Sequence, residues 1–107
     1  MRGIKPKPGD VILVNVQFTD TFEIKKRPAV VLYEDYDNVI VAGVTSNPRM
    51  EGIPLLKSEG AMQDSVIKLN YLFTISTDLI ERTLFSLSPQ KKRLLNDRLV
   101  DHLHGLQ

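Results

Sequence analysis

The chain has 107 residues, which is enough for a single domain over 1–107 with a modest core that needs no disulfides. It contains no cysteine, so disulfides, iron–sulfur clusters and thiolate metal sites are excluded. Its net charge of +1 does not mark a nucleic-acid-binding domain, because such domains often have a pI above about 9.

The apolar segments exclude a membrane span and argue against a secretory signal. The longest apolar runs are far shorter than the roughly 20 residues that a transmembrane helix needs. The N-terminus carries charge, but no apolar segment follows it. We therefore expect a cytoplasmic protein.

The first half of the chain predicts one strand followed by a β-hairpin. Residues 5–10 contain two prolines and a glycine, which predict an irregular segment, and the apolar run that follows predicts a strand at 11–16. The irregular polar segment 19–26 predicts a mobile loop. Two runs rich in Val and Ile, 29–32 and 39–44, flank a polar stretch, which is typical of a hairpin with a loop of about five residues.

The second half predicts three more strands. Residues 53–56 have the pattern of a short edge strand, and 65–75 that of the longest strand. The apolar residues of 65–75 do not alternate strictly, which predicts a β-bulge or burial on both faces. Asp78 and Glu81 have capping-box spacing and predict one helical turn, and 82–87 follows as the last strand.

The C-terminal segment carries the clearest helical pattern. Ser88 is a good N-cap and Pro89 a good first helical residue. Leucines then recur at four-residue spacing at Leu95, Leu99 and Leu103, and the amphipathic pattern ends near Gly105. We expect a curled antiparallel sheet closed by this helix, which is an α+β, mainly β fold built as a small β-barrel.

The two ends of the hairpin carry polar residues that are suited to phosphate chemistry. Arg27 precedes the first hairpin strand, and Thr45, Ser46 and Asn47 follow the second. Antiparallel pairing places the start of one strand beside the end of the next, so Arg27 and Thr45 are expected to face each other across one rim. A guanidinium holds phosphate oxygens through a planar pair of donors and stays charged, which makes Arg27 the main catalytic candidate.

Four sequence blocks in a fixed order resemble the MazF/PemK family of toxin ribonucleases. They are GDVILV at 9–14, KRPAVVL at 26–32, TSN at 45–47 and DSVIKLNYLFTI at 64–75. The similarity runs from about Lys7 to the C-terminus. It implies the SH3-like or CcdB-like curled barrel of that family.

The resemblance also implies an activity and two catalytic residues. In the family, the arginine of the Arg-Pro pair and the threonine of the strand-end block form the functional pair, and these match Arg27 and Thr45. Arg27 would act as acid or as stabiliser of the phosphorane, and Thr45 would donate to the phosphate. The implied reaction is cleavage of single-stranded RNA by attack of the 2′-hydroxyl on phosphate, without metal or other cofactor. The implied partners are RNA, an antitoxin protein and a second copy of the chain, with the RNA groove across the dimer interface.

Further residues near these blocks are candidates for RNA binding. They are Glu23, Lys25, Lys26, Ser46, Asn47, Lys68, Asn70 and Tyr71. The loop before Arg27 is shorter than in many family members and offers only Glu23, four residues before Arg27, in place of their Ser-Glu or His-Glu pair. Lys68 and Asn70 stand where some members have Arg and Asp, so phosphate binding is better preserved than proton transfer. Tyr71 can stack on a base or pack in the core.

A second class of function stays open beside the nuclease. The same barrel can serve as a catalytically degenerate module that binds nucleic acid or protein, because one fold hosts several functions. The short loop and Asn70 favour this alternative, whereas Arg27 and Thr45 oppose it. His102 and His104 are remote in sequence from the rim, and their two-residue spacing on a helix disfavours a shared metal.

Overall fold

Six antiparallel strands and one helix form the fold in this computed structural model, which describes residues 5–17 and 24–107. The strands are β1 Asp10–Gln17, β2 Ile24–Asp35, β3 Asn38–Thr45, β4 Ile53–Leu55, β5 Ser65–Ser76 and β6 Ile80–Ser86. The helix α1 spans Pro89–Leu103. The sheet order β4-β5-β3-β2-β1-β6 and the single long helix confirm the predicted mainly β fold with a C-terminal helix.

The segment before Arg27 is only partly described. Glu23 and the rest of 18–23 lie outside the described residues, so the predicted loop at 19–26 is untested there. Residues 24–26 already belong to β2, where each lies opposite a residue of β1. The prediction was wrong for these three residues because cross-strand pairing extends the strand beyond its apolar run.

The turn of the β2–β3 hairpin is tighter than predicted. β2 continues to Asp35 and β3 begins at Asn38, so the turn holds only Tyr36 and Asp37 rather than about five residues. Glu34 and Asp35, just before the turn, still pair with β3. Backbone hydrogen bonds between two strands can continue beyond the core even where the side chains are exposed to water. Tyr36 occupies the left-handed region, with φ of 56°.

The left-handed backbone conformation of Tyr36 is unfavourable for a tyrosine, so a residue that tolerates it better should stabilise the protein. Tyr36 is 97% exposed, so its side chain loses little packing on substitution. Asparagine tolerates the left-handed conformation better than tyrosine. We expect Tyr36→Asn to raise the free energy of unfolding by about 0.5 to 1 kcal/mol, measured as a higher urea midpoint at constant m value.

The matched control for this substitution is Tyr33→Asn. Tyr33 is also exposed, at 56%, but it lies within β2, where asparagine is a poor strand former. This control should not be stabilised. A lower urea midpoint for Tyr36→Asn would contradict the account of the turn.

Arg27 and Pro28 lie inside β2 rather than at its beginning. They pair with Val14 and Leu13 of β1, whereas the ladder with β3 starts only at Ala29 opposite Gly43. The prediction that Arg27 lies at the start of the first hairpin strand was therefore wrong for the pairing with β1, which begins three residues earlier, at Ile24. A strand can pair along one edge while its other edge stays open, and proline is tolerated at such a position.

The later strands follow the predictions closely. β4 lies at one edge of the sheet, and β5 contains the expected bulge, since Ala42 faces Leu72 while Gly43 faces Lys68. The helical turn is a 3-10 turn at Thr77–Leu79, and its cap is Ser76, whose side chain accepts from the Asp78 amide. The predicted Asp78–Glu81 capping box is wrong, because residue 81 already belongs to β6.

The helix is capped as predicted, but it is buried less deeply than its leucine pattern suggests. Ser88 Oγ accepts from the amide of Lys91 at 3.1 Å, and Pro89 is the first helical residue. Leu95 is the one fully buried residue of α1, whereas Leu103 is 54% exposed. No helix of the described chain is long and apolar enough to cross a membrane.

Two apolar clusters fill the fold. The helix side of the sheet is packed by Val11, Val30, Ala42, Val44, Ile53, Leu55, Ile67, Leu87 and Leu95. The opposite side is packed by Ile12, Val14, Ala29, Val31, Val39, Val41, Ile75 and Ile80. The first cluster contains Leu55 of β4 and contacts Phe85 of β6, so the sheet curls until its two edge strands approach each other.

Candidate active site

A cleft of about 240 Å³ lies where β3 ends and the two edge strands approach. Its walls are mostly apolar and include Val11, Leu13, Val44, Leu55, Leu84 and Phe85. Its polar lining residues are Lys26, Arg27, Thr45, Ser46, Gln63 and Ser65. Four of the residues predicted from the sequence, two catalytic and two RNA-binding, therefore line one cavity.

The strand register explains why Arg27 and Thr45 come together. Ala29 pairs with Gly43, and Arg27 and Thr45 each lie two residues beyond this last pair of the ladder, at the same end of the hairpin. The Arg27 side chain is exposed and Thr45 is half-buried. A guanidinium and a hydroxyl beside one small cleft can together bind the oxygens of a phosphate.

A tight turn fixes the position of the Thr45 oxygen. Thr45 Oγ1 accepts a hydrogen bond from the Asn47 amide at 3.2 Å, and Asn47 Oδ1 accepts from the Arg49 amide at 3.0 Å. The hydroxyl proton of Thr45 can still be donated to a ligand. Asn47 shapes this turn and is exposed, but it does not line the cleft.

Glu81 forms an ion pair with Lys26 of the cleft, although no sequence motif marks it for this position. Its Oε2 lies 2.8 Å from Nζ of Lys26, and the two side chains are 35% and 56% exposed. Leu13 pairs with Arg82 and Val14 with Ile80, so Glu81 is the extra residue of a β-bulge. Bulges commonly redirect a side chain at a functional site. This exposed ion pair contributes little to stability, so its main effect is to orient the Lys26 ammonium beside the cleft.

Among the described residues, the remaining RNA-binding candidates lie outside the cleft. Lys25 is exposed on β2. Lys68 Nζ donates to the backbone carbonyl of Glu51 and lies 5.5 Å from the centroid of the Tyr71 ring. Asn70 lines a separate depression, together with Arg98 and His102. The RNA-binding role of these three residues of β5 stays a prediction.

Tyr71 is a surface residue rather than a core residue. Its side chain is 45% exposed, and its Cβ would lie 3.5 Å from a Cβ built on Gly43. Gly43 and Thr45 share one face of β3, because side chains alternate with a period of two. Tyr71 therefore presents an accessible ring on the face that carries Thr45, where a base can stack.

The charges around the cleft favour an anion. Among the described residues, those that line the cleft include two cations, Lys26 and Arg27, and no carboxylate or imidazole. His102 and His104 lie at the end of α1 and in the 3-10 turn after it. Within the described ranges, no group of three or more histidine, aspartate and glutamate side chains is placed to hold a metal ion.

Part of the cleft wall is supplied by the segment between β4 and β5. Met62 and Gln63 are exposed at the cleft, and Ser65 Oγ donates to the backbone carbonyl of Gln63 at 2.8 Å. No sequence motif marks these residues, because they reach the cleft only through the curl of the sheet.

Comparison with known proteins assigns a family and a fold. The family model of the PemK-like, MazF-like toxins of type II toxin-antitoxin systems matches residues 7–103. No curated protein matches the chain in sequence at a significant level.

Three solved structures are similar in fold. A mycobacterial endoribonuclease in complex with its cognate antitoxin has a TM-score of 0.71 and 14% identity, with 92% of each chain covered. MazE-MazF from Deinococcus radiodurans has a TM-score of 0.73 and 16% identity, with 92% of this chain and 95% of that chain covered. The Mycobacterium tuberculosis toxin MazF-mt6 has a TM-score of 0.63 and 22% identity, covering 80% and 89%.

The sequence match and the shared fold agree. The family model covers the strands, the cleft and all of α1, and the fold similarity extends over most of each structure compared. The chain therefore belongs to the PemK-like, MazF-like family of toxins of type II toxin-antitoxin systems.

Proposed function

We propose that this toxin is a metal-independent endoribonuclease that cleaves single-stranded RNA. One observation carries the proposal: Arg27 and Thr45, the two residues that match the catalytic pair of the family, line the same cleft. The relatives support the reaction class, since one structure of similar fold is named an endoribonuclease.

The proposed reaction uses the RNA itself as nucleophile. The 2′-oxygen gives its proton to a base, forms a bond to the adjacent phosphorus and expels the 5′-oxygen, which takes up a proton as the P–O5′ bond breaks. Negative charge builds up on the non-bridging oxygens in between. Arg27 stabilises that charge through its paired donors, and the Thr45 hydroxyl donates to one of the same oxygens. Lys26, held by Glu81, adds a second cation beside the cleft.

The preference for single strands follows from the size of the site. A cleft of about 240 Å³ has no room for a duplex, whereas a splayed strand can place a phosphate and a base there. The proposed partners beyond RNA are an antitoxin protein and a second copy of the chain. A solved structure of the same fold contains a cognate antitoxin, which supports the first of these partners.

The alternative is a toxin-family module that binds RNA or protein without cleavage. The specific observation in its favour is that the described residues lining the cleft include no carboxylate or imidazole to accept the 2′ proton, and the neighbouring Glu81 carboxylate is paired with Lys26. Asn70 cannot serve as a base either. Such a module would use Arg27 and Thr45 for binding alone.

Incubation of the pure protein with a long single-stranded RNA in EDTA separates the two functions. The nuclease should give discrete fragments that end in 2′,3′-cyclic phosphate, and the same RNA annealed to its complement should resist cleavage. The binding module would shift the RNA in a gel without cutting it. RNA that is neither bound nor cut would contradict the nuclease and the RNA-binding module and would leave protein binding as the function of the fold.

A further inference from the structure

The cleft beside Arg27 and Thr45 is more apolar than a phosphate site requires. Apolar residues, among them valine, leucine and phenylalanine, form most of its wall, and they offer nothing to a phosphate. An unstacked nucleobase has the matching character, because its faces are apolar and its edge carries donors and acceptors. We propose that this cleft takes one base next to the cleaved phosphate and that Gln63 reads the edge of that base. This inference rests on the proposed function.

The volume of the cleft suits one base. At about 240 Å³, it lies below the roughly 300 to 1,000 Å³ of pockets that hold drug-sized molecules. Because Arg27 and Thr45 line the same cavity, a base bound there stays within one nucleotide of a phosphate held by them.

Phe85 forms a fixed aromatic wall. A Cβ built on Gly60 would lie 2.8 Å from the ring carbon Cγ of Phe85, so the ring rests directly on the glycine backbone. Gly60 has φ of +120°, a conformation that residues with a side chain rarely adopt. The glycine therefore allows the close approach that holds the ring in place. Aromatic rings positioned in this way are common stacking surfaces for single-stranded nucleic acid.

Gln63 is the lining residue best suited to distinguish bases. Its backbone carbonyl is held by Ser65 Oγ at 2.8 Å, which fixes the local main chain at the cleft. Its side-chain amide offers both donors and an acceptor and carries no charge. Arg27 and Lys26 attract any phosphate regardless of sequence, whereas an amide pairs well only with a complementary base edge.

The proposal predicts a change of cleavage motif when Gln63 is replaced by glutamate. An ionised carboxylate has acceptors only, so it pairs with bases that present two donors, as guanine does through N1–H and N2–H. Gln63→Glu should shift the preference at one position next to the cut toward guanine by about 10-fold or more. Gln63→Ala should flatten the preference at that position. The readout is sequencing of the fragment ends from a randomised RNA pool.

The matched control is Gln90→Glu, which makes the same chemical change on exposed α1, away from the cleft. It should cut with the motif of the unaltered protein. Cleavage by the two Gln63 variants with an unaltered motif at every flanking position would overturn the inference while leaving the proposed nuclease intact.

The inference remains testable if the nuclease proposal fails. If RNA is bound but not cut, the sequences enriched among bound RNAs replace the fragment ends as the readout. The Gln63 variants should then change the enriched base at one position, and unaltered enrichment would overturn the inference. If the unaltered protein neither binds nor cuts RNA, both proposals fall. Thermal melting of each variant verifies that the exposed substitutions leave the fold intact.

Discussion

Replacement of Arg27 by alanine should lower the rate of RNA cleavage by about 100- to 1,000-fold, the loss expected when one donor to a developing oxyanion is removed. Arg27 lines the cleft in which the proposed reaction would build up negative charge on the phosphate oxygens. Its side chain is exposed, so its removal leaves the core packing unaltered. The measurement is single-turnover cleavage of a short RNA that contains the preferred site.

Two further variants sharpen this test. Arg27→Lys keeps the positive charge but loses the planar pair of donors, so its rate should lie between those of the unaltered protein and Arg27→Ala. Arg93→Ala removes an exposed arginine of α1 that does not line the cleft, and it should cleave at the unaltered rate. Full activity of a folded Arg27→Ala would remove this residue from the mechanism.

The second large effect should be on the free energy of unfolding, and it should follow from truncation of Leu95, the residue that packs α1 against the sheet. Leu95 is 4% exposed and packs into the helix-side core cluster with Val11, Val30 and Leu55. Truncation of a fully buried leucine leaves a cavity that the neighbours only partly close. We expect Leu95→Ala to lower the free energy of unfolding by about 2 to 5 kcal/mol, measured by urea denaturation.

The control is the same truncation eight positions along the same helix. Leu103 is 54% exposed, so Leu103→Ala removes little buried surface. Its free energy of unfolding should change by less than about 1 kcal/mol. Equal losses of unfolding free energy in the two variants would mean that Leu95, Leu99 and Leu103 together, and not Leu95 alone, hold the helix against the sheet.

The central pair of the site could be predicted from the sequence because its geometry is local. Arg27 and Thr45 belong to neighbouring strands of one hairpin, so antiparallel pairing alone brings them to the same place. The N-cap at Ser88 and the β5 bulge were predictable for the same reason, since each depends on a few adjacent residues.

The rest of the cleft depends on contacts between distant parts of the chain. Glu81 meets Lys26 only because β6 pairs with β1 and a bulge redirects the carboxylate. Gln63 and Phe85 reach the cavity through the curl that brings the two edges of the sheet together. Residue spacing along the chain does not indicate how the sheet curls, so the position of these residues at the cleft could not be predicted.

Errors in the strand boundaries have a related cause. Apolar runs alone place Arg27 and the polar residues on either side of the β2–β3 turn at strand ends or in loops, whereas the structure includes them in the strands. The structure shows that ladders continue wherever a neighbouring strand offers partners, even after the side chains leave the core. Hydrophobic patterning locates buried strand segments but not the full length of pairing.

The most direct test of the mechanism is a single substitution in the RNA. A substrate with 2′-deoxyribose at the one nucleotide that precedes the preferred cut should bind with nearly the same affinity, but it should not be cleaved at that bond in EDTA. The same oligonucleotide with deoxyribose two positions away should be cut normally. Cleavage at the deoxy position would contradict attack by the 2′-oxygen, and with it the role of Arg27 and Thr45 proposed here.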